Sequence, residues 1–296
     1  MQSYLYFPGC SLRTTAISFD ASARFCAEAL GFELKEMQGW LCCGAVYSNV
    51  ADSLMTSSGP NRILARARAE GGSNTLVTLC AGCYNVLKRT NLQAQRNPVR
   101  QEQINEFNEE IYTGGLDILH YLEVLRDRVG YATIKENVKT PLRGLRVGAY
   151  YGCLLLRPFT EMRLDDPHRP TILEDLLAVI GCAPVEYPSR TECCGSYLSI
   201  GSPDTMTRLS RDIVQSARSN GAKILAVSCP LCKYNLDASQ KQGTAASEPT
   251  PLPVVYFTQL LGLALGLDPG RLELDPVQLQ AIHGDTGATV EKVSRP

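Results

Sequence analysis

The sequence predicts an α/β protein with two pseudo-symmetric domains that are related by internal duplication, each built on a parallel sheet. Strand-like and helix-like segments alternate, which is typical of parallel sheets. The two halves of the 296-residue chain also repeat one another. We expect domains at residues 1–134 and 145–268, each large enough to bury its own core. A loosely held polar tail should follow at residues 269–296.

The first half shows the alternation in chain order. A short buried strand at 4–10 ends in Gly-Cys, and a helical pattern at 19–30 ends at Gly31, a favourable C-terminal cap. The other predicted elements are a strand at 32–34, a helix at about 59–69, a strand at 74–79, a helix start at 84–90 and an apolar segment at 116–125. A polar insertion at 91–115 is expected to form a solvated helix or loop.

The second half repeats this order. Residues 147–153 correspond to 4–10, and the helical pattern at 172–180 ends at Gly181. The other matched elements are a strand at 184–186, a helix at 203–219, a strand at 222–227, a helix start at 233–239 and an apolar segment at 252–261. The segment at 135–146 contains Pro and Gly and is the expected linker.

Ten of the twelve cysteines fall into two matched arrays of five. Each array contains a single Cys, a Cys-Cys-Gly motif and a Cys-x-x-Cys motif, in that order. The first array is Cys10, Cys42, Cys43, Cys80 and Cys83, and the second is Cys153, Cys193, Cys194, Cys229 and Cys232. Corresponding cysteines are 143, 151, 151, 149 and 149 positions apart, so order and spacing are both kept. We therefore predict one metal–sulfur site in each half.

The motifs place thiols where a metal could bind them. Each Cys-x-x-Cys lies between a strand and a helix, where free backbone N–H groups and the positive end of the helix dipole lower the thiol pKa. Neighbouring cysteines in a regular strand would point to opposite faces. The Cys-Cys pair must therefore turn, and the following Gly permits that turn. Gly9, Gly82 and Gly152 lie beside other cysteines and are expected to allow close backbone approach.

The number of cysteines argues against the commonest metal sites. Structural zinc takes four ligands, and a cubane iron–sulfur cluster takes four cysteines, whereas each array offers five. A cluster in which thiolate sulfur bridges two irons would suit five thiolates that include a vicinal pair. Zinc in one motif, with one of its cysteines unused, stays open as an alternative.

The doubled motif resembles the B subunit of heterodisulfide reductase (HdrB), a family built from two Rossmann-like, cysteine-rich CCG domains. The gaps between motifs are 31 and 36 residues in the first array and 39 and 34 in the second, which matches the family pattern. The resemblance extends from Tyr4 to about Leu267, and both motifs are complete. It implies that each array of five cysteines binds one non-cubane [4Fe-4S] cluster, so that all ten are cofactor-binding metal ligands.

The resemblance also implies an activity and partners. The chain would be the catalytic component that reduces, or reversibly forms, a small-molecule disulfide such as the coenzyme M–coenzyme B heterodisulfide. The disulfide would lie between the two clusters, because its cleavage takes two electrons and a cluster usually transfers one. Electrons would arrive from an HdrC-like subunit of ferredoxin type, itself supplied by an HdrA-like subunit that contains flavin.

Three other functions stay open. The chain could be a CCG-type electron-transfer subunit that passes electrons to a quinone or another carrier, a zinc-binding scaffold, or a thioredoxin-like dithiol enzyme. The compact chain with two motifs and no fused ferredoxin domain favours the disulfide reductase. A dithiol mechanism would leave three cysteines of each array unexplained.

Several residues outside the arrays have simpler interpretations. Cys26 and Cys182 do not match each other and are expected to be small buried hydrophobic residues. His120 aligns with Tyr256 and is expected to pack in the core or cap a helix; its alternative role is a catalytic proton donor to the leaving thiolate. Four cations follow the cysteine motifs and are expected on the solvated surface, with anchoring of an anionic substrate as the alternative: Arg13, Lys88, Arg157 and Lys233.

Composition and hydropathy exclude several classes of protein. A formal net charge of −1 gives no support for binding nucleic acid or an anionic membrane. The longest apolar stretch, 252–267, is too short and too interrupted to span a bilayer. The N-terminus lacks the pattern of a signal peptide. We therefore expect a cytoplasmic protein, in which many cysteines indicate metal or redox chemistry rather than disulfides.

Overall fold

The computed structural model describes residues 2–45, 53–241 and 250–286 and contains two four-stranded sheets. The strands are β1 (Gln2–Phe7), β2 (Phe32–Glu36), β3 (Thr75–Thr78), β4 (Asp117–His120), β5 (Arg146–Tyr150), β6 (Ala183–Val185), β7 (Ile224–Val227) and β8 (Val254–Tyr256). All neighbouring strands pair in parallel. The predicted α/β class with two parallel sheets is confirmed.

Helices connect successive strands. Those of the first half, within the described residues, are α1 (Ile17–Ala29), α2 (Leu54–Glu70), α3 (Ala81–Arg96), α4 (Pro98–Asn108), α5 (Tyr121–Glu123, continued by a π-helix at Val124–Val129) and α6 (Tyr131–Asn137). Those of the second half are α7 (Phe159–Met162), α8 (Ile172–Val179), α9 (Leu198–Gly201), α10 (Pro203–Ser219), α11 (Pro230–Lys241), α12 (Phe257–Ala264) and α13 (Pro276–Thr286). The alternation predicted for each half is therefore present.

The two sheets have the same topology. Their strand orders are β2-β1-β3-β4 and β6-β5-β7-β8. The chain therefore reverses its direction across the sheet between β1 and β3, and again between β5 and β7. In open parallel sheets such a reversal leaves a crevice at the carboxyl ends of the two strands, where ligands bind. Each half has one crevice of this kind.

The two halves share one continuous hydrophobic core. This differs from the expectation of a separate core in each half. Phe19 of α1 stacks on Tyr256 at the end of β8, with ring centroids 4.2 Å apart. The hydroxyl groups of Ser22 and Thr258 lie 2.6 Å apart in the same interface. Because apolar and polar contacts both cross the interface, the duplicated halves pack as one unit.

The insertion at 91–115 is partly buried, so the expectation of a solvated segment needs correction. Its polar side chains bind α2 rather than only water. Gln101 Nε2 donates to Asn61 Oδ1 at 2.9 Å, and Asn108 Nδ2 donates to the Ser58 carbonyl at 3.1 Å. Buried amides need such partners, which explains why a segment rich in Asn and Gln packs against the first domain.

The tail predicted at 269–296 is ordered over its described part. Ile282 of α13 is buried, and Gln278 Nε2 donates to the Val254 carbonyl of β8 at 3.0 Å. The expectation of a loosely held tail is therefore wrong up to residue 286, because a few apolar side chains give this polar helix a face that packs on the second sheet. Residues 287–296 lie outside the described residues.

The apolar stretch at 252–267 is divided between β8 and α12. Within the described ranges of the chain, no helix is both long enough and apolar enough to cross a bilayer.

Candidate metal centre

The cysteines follow the carboxyl ends of the strands, at the edge where the crevices open. Cys10 comes three residues after β1 and Cys80 two residues after β3, the strands that flank the reversal of the first sheet. Cys153 and Cys229 follow β5 and β7 by the same intervals. The sheet topology thus explains why cysteines distant in sequence meet at one place.

Each Cys-x-x-Cys spans the start of a helix. Cys80 is the N-cap residue of α3, and Cys83 lies in its first turn. Cys229 directly precedes α11, and Cys232 lies in its first turn. Both helices begin three residues earlier than predicted, so the second cysteine of each motif is itself helical. The N–H groups of a first turn lack intrahelical partners and favour negative charge, which suits thiolate ligands.

The sulfur atoms of each array form the same two close pairs. In the first array the Sγ–Sγ distances are 3.9 Å for Cys10–Cys42 and 3.3 Å for Cys43–Cys83. In the second array they are 3.7 Å for Cys153–Cys193 and 3.6 Å for Cys194–Cys232. The first cysteine of each Cys-Cys pair thus contacts the single cysteine of its array. The second cysteine of the pair contacts the last cysteine of the Cys-x-x-Cys motif. The two thiols of each vicinal pair are thus directed to different partners within the same array.

Gly9 and Gly152 let the backbone pass close to the last cysteine of each array. Both have a positive φ, +73° and +64°. An added Cβ would lie 2.9 Å from Cys83 Sγ at Gly9, and 3.1 Å from Cys232 Sγ at Gly152. The predicted close approach is confirmed at these two positions, whereas a Cβ at Gly82 would make only ordinary contacts.

Hydrogen bonds between thiols divide the arrays into donors and thiolates. The hydrogen bond from Cys42 is the largest cause that lowers the pKa of Cys43 well below its usual range. The hydrogen bond from Cys153 lowers the pKa of Cys193 to about 6, with a smaller contribution from the Arg157 guanidinium. The same bonds raise the pKa of the donors. A lowered pKa favours the thiolate, which is the form that metals bind.

A cavity of about 400 Å³ lies between the two arrays, and nine of the ten array cysteines line it, all except Cys193. The arrays also touch directly. The Ala81 N–H, next to Cys80, donates to the Ser228 carbonyl, next to Cys229, at 3.3 Å. Nine of the ten predicted residues thus border one cavity at the interface of the two halves, and Cys193 contacts one of them, Cys153, at 3.7 Å.

The second array has buried hydroxyl groups beside it that suit the chemistry of sulfur ligands. Ser196 Oγ and Ser228 Oγ are buried beside the second array and have no hydrogen-bond partner among the described residues. Hydroxyl groups placed in this way could donate to the sulfur atoms of a cluster.

His120 caps a helix and does not line the cavity. Its buried ring accepts the Leu122 N–H at Nδ1 (3.2 Å), so Nε2 carries the proton and donates to the Leu79 carbonyl (2.7 Å). Desolvation lowers the pKa of His120 to about 3. The suggested role as proton donor to a thiolate needs correction, because the ring is neutral and both nitrogens are occupied. The hydrogen bond from His120 to the Leu79 carbonyl instead holds the residue that directly precedes Cys80.

The four cations that follow the motifs also stay out of the cavity lining. Three of them form ion pairs with carboxylates: Arg13 with Asp20 and Glu36, Lys88 with Glu123, and Lys233 with Asp237. Arg157 is exposed. The surface interpretation agrees with the exposed Arg13 and Arg157, whereas Lys88 and Lys233 are mostly buried in their ion pairs, with side chains 18% and 20% exposed.

Cys26 and Cys182 are buried away from the arrays, as predicted. Burial raises the pKa of both thiols, that of Cys182 to about 12. Cys26 Sγ donates to the Thr258 carbonyl at 3.3 Å. Both residues therefore stay protonated and are unsuited to metal ligation.

Two asparagines beside the arrays were missed by the sequence reasoning. Asn235 Nδ2 donates to the Cys194 carbonyl at 3.2 Å and to Cys194 Sγ at 3.4 Å. Asn85 Nδ2 donates across the interface to the carbonyls of Leu154 (2.8 Å) and Arg157 (2.6 Å). Each asparagine lies within one helical turn of a Cys-x-x-Cys. A polar residue among apolar neighbours at that position could have indicated a buried hydrogen bond near the cysteines.

Comparison with known proteins places this arrangement in a family. The model of the cysteine-rich domain called CCG matches the chain twice, at residues 4–88 and 147–237, which together are more than half of the chain. Every array cysteine lies within these two ranges. The chain belongs to the CCG family. The two CCG regions contain β1–β3 and β5–β7, so the duplicated motif predicted from the sequence is confirmed.

Three named proteins resemble the chain along nearly its whole length. It is 31% identical over 278 residues to the 8-methylmenaquinol:fumarate reductase membrane anchor subunit of Wolinella succinogenes, covering 93% of the chain and 96% of the relative. It is 27% identical over 295 residues to the B subunit of the ferredoxin:CoB-CoM heterodisulfide reductase of Methanosarcina mazei, covering 96% of each. A protein of Archaeoglobus profundus that is named as similar to the heterodisulfide reductase B subunit is 28% identical over 284 residues, with 92% of the chain and 93% of the relative covered.

A solved structure has a similar fold. The crystal structure of a hypothetical protein from Helicobacter pylori superposes with a TM-score of 0.72 at 14% identity and covers 93% of the chain. The chain spans 51% of the length of that protein. At this level of identity the similarity concerns the fold alone.

Proposed function

We propose that the chain is the catalytic component of a heterodisulfide reductase-like complex, which reduces or reversibly forms a disulfide. The cavity carries this proposal, because cysteines from both halves face one space. A disulfide bound there would have one sulfur atom near each array. Relatives named after the B subunit of heterodisulfide reductase support the same activity.

Each array would hold one non-cubane [4Fe-4S] cluster with five cysteine ligands. The ligands would be Cys10, Cys42, Cys43, Cys80 and Cys83 in the first half, and Cys153, Cys193, Cys194, Cys229 and Cys232 in the second. When bound, the two clusters would supply electrons and Lewis-acidic iron to the two sulfur atoms of the substrate. The donor count, five thiols where zinc uses four, supports this over a zinc-binding scaffold.

The protein's own residues would orient the disulfide and limit water at the site. Tyr151, Leu154 and Leu231 line the cavity. Tyr197 closes the interface by donating its hydroxyl to the Ala45 carbonyl at 2.8 Å. Reduction consumes one disulfide, two electrons and two protons and yields two thiols. The direction depends on the electron donor, since about 30 mV corresponds to 1.4 kcal/mol for a two-electron couple.

The protein would act in the cytoplasm and within a larger complex. An HdrC-like subunit of ferredoxin type would deliver electrons from an HdrA-like subunit that contains flavin, as the word ferredoxin in the name of the Methanosarcina relative suggests. All twelve cysteines are free thiols, which is consistent with a reducing compartment.

Metal analysis of anaerobically purified protein tests the proposal. We expect about eight irons and eight acid-labile sulfides per chain, the content of two four-iron clusters. The variants Cys42→Ala and Cys193→Ala should each retain about half of that iron and lose disulfide reduction. Cys26→Ala is the matched control, because this buried cysteine lies outside the arrays. Two zincs without sulfide, or undiminished reduction after loss of one cluster, would contradict the proposal.

A second candidate function is electron transfer to or from a quinone. The Wolinella relative is named for the use of a methylmenaquinol, and the cavity is rich in apolar side chains. Stopped-flow reduction of the clusters by a menaquinol analogue would favour this function if it were faster than reoxidation of the clusters by every disulfide tested.

A further inference from the structure

Apart from cysteine, the cavity between the arrays is lined without any charged side chain. Its described lining includes Leu154, Leu231, Tyr151 and Tyr234, and its polar side chains are the hydroxyls of Ser, Thr and Tyr residues. No carboxylate, ammonium or guanidinium group among these lining residues could pair with a charged substrate. With both arrays occupied by metal clusters, these apolar walls would be what a substrate contacts.

Large apolar side chains are also exposed next to this lining. Tyr234, which lines the cavity, is 61% exposed. Leu41 precedes Cys42 and Leu198 follows Tyr197, and both are exposed. Exposed apolar surface of this kind often marks a binding site. The approach to the cavity therefore has the same chemical character as its walls.

None of the four cations that follow the cysteine motifs lines the cavity, and three of them already pair with carboxylates. Lys233 Nζ, for example, lies 2.6 Å from Asp237 Oδ2. Arg157 is exposed and is not among the lining residues. A sulfonate, phosphate or carboxylate in the cavity would thus have to give up water without gaining a counter-ion.

We infer that the cavity selects an uncharged disulfide with apolar substituents and excludes disulfides with anionic groups near the sulfur atoms. The inference rests on the proposed disulfide reduction and names the substrate class of that site. An ionised carboxylate is strongly unfavourable in an apolar cavity without a partner. The methyl ester of the same chain loses little hydration and gains from the burial of apolar surface.

A matched pair of ligands tests binding separately from turnover. Suberate and dimethyl suberate have the chain lengths of dithiodipropionate and its dimethyl ester, with two methylene groups in place of the disulfide. Calorimetric titration of the cluster-loaded protein should show dimethyl suberate binding at least about 100-fold more tightly than suberate. Equal or tighter binding of suberate, or binding of neither ligand, would overturn the inference.

Turnover of the disulfides separates the inference from the proposed function. With electrons from reduced methyl viologen, kcat/KM for the dimethyl ester should exceed that for dithiodipropionate by a similar factor. A preference for dithiodipropionate would overturn the inference. If neither disulfide is reduced while dimethyl suberate still binds selectively, the proposed function fails and the inference about the cavity stands.

A cation introduced at the cavity should reverse the preference. Thr15 lines the cavity and is exposed, so Thr15→Lys is expected to fold and to strengthen suberate binding about tenfold. The matched control is Thr133→Lys, at an exposed position on α6 outside the cavity lining, which should leave suberate binding unchanged. Thermal melting checks that both variants fold. Equal effects of the two substitutions would show that suberate responds to net charge and not to this cavity.

Discussion

The side-chain amide of Asn235 donates a hydrogen bond to Cys194 Sγ at 3.4 Å, and the first half has no equivalent bond at the matched position. With the Cys-x-x-Cys motifs aligned at an offset of 149, that position is Val86, a buried apolar residue. Hydrogen bonds to the sulfur ligands of iron–sulfur clusters tune their reduction potentials. The duplicated sites are therefore unequal in this respect.

Asn235→Val should lower the reduction potential of the cluster proposed for the second half. An N–H donor stabilises the more negative, reduced state, so its loss favours the oxidised state. We expect a decrease on the order of 60 mV, a tenfold change for a one-electron couple, in an EPR-monitored redox titration. The fold should tolerate the change, because Cys194 O keeps its bond from Ser210 Oγ at 2.9 Å.

The cluster proposed for the first half provides an internal control for this titration. Its potential should stay constant in Asn235→Val. Asn137→Val is the external control, since Asn137 bonds only the Thr133 carbonyl on the surface. An unchanged potential in Asn235→Val, or an equal shift of both clusters, would contradict a local effect of the hydrogen bond.

Gly9→Ala should impair loading of the first array. The new Cβ would meet Cys83 Sγ at 2.9 Å and push this thiol away from the other ligands. Gly31→Ala is matched in backbone strain, because Gly31 also has a positive φ (+83°) but no atoms within 4 Å of an added Cβ. Iron per chain should fall by about half in Gly9→Ala and stay unchanged in Gly31→Ala. Equal iron content in the two variants would exclude a role for the Cys83 contact.

His120 should make the protein less stable as the pH falls. Desolvation lowers the pKa of the folded-state ring to about 3, whereas an unfolded histidine titrates near about 6.5. The unfolded chain therefore binds one more proton between these values, and stability is complete only above about pH 6.5. Lowering the pH to 5 should reduce the free energy of unfolding by about 2 kcal/mol through this residue.

His120→Asn isolates this contribution, because asparagine can still cap the helix and does not titrate. Urea denaturation of both proteins between pH 5 and pH 7.5 gives the difference in slope. Between pH 7.5 and pH 5, the free energy of unfolding of the wild type should fall by about 2 kcal/mol more than that of the variant. Identical slopes would mean that His120 titrates normally and is not buried as a neutral ring.

Asn85→Ala should weaken the interface between the halves. Asn85 Nδ2 bonds two carbonyls of the loop after Cys153, those of Leu154 and Arg157, and its loss leaves two part-buried acceptors unpaired. We expect the free energy of unfolding to fall by about 2 kcal/mol, against a much smaller effect of Asn137→Ala at the surface. A stability equal to that of Asn137→Ala would show that water replaces the lost bonds.

The sequence was sufficient for the features that repetition makes visible. The two arrays, the strand–helix order and the glycines before Cys10 and Cys153 all follow from local spacing. Asn235 and Asn85 were missed because a hydrogen bond to a sulfur atom or across a domain interface depends on which helix face turns inward. The absence of charged side chains from the described lining of the cavity could not be predicted either. It depends on how the two halves pack against each other, and no sequence motif reveals that.

The position of the cavity between two repeats has a consequence for its evolution. A lone repeat that paired with its own copy would present two identical walls, as twofold symmetry requires. Fusion into a single chain removes that requirement, because each mutation then alters one wall only. The divergence of Asn235 from Val86 is one such alteration. A fused pair of repeats can thus adapt to a molecule with two unlike ends. A symmetric dimer would have to bind both ends with identical surfaces.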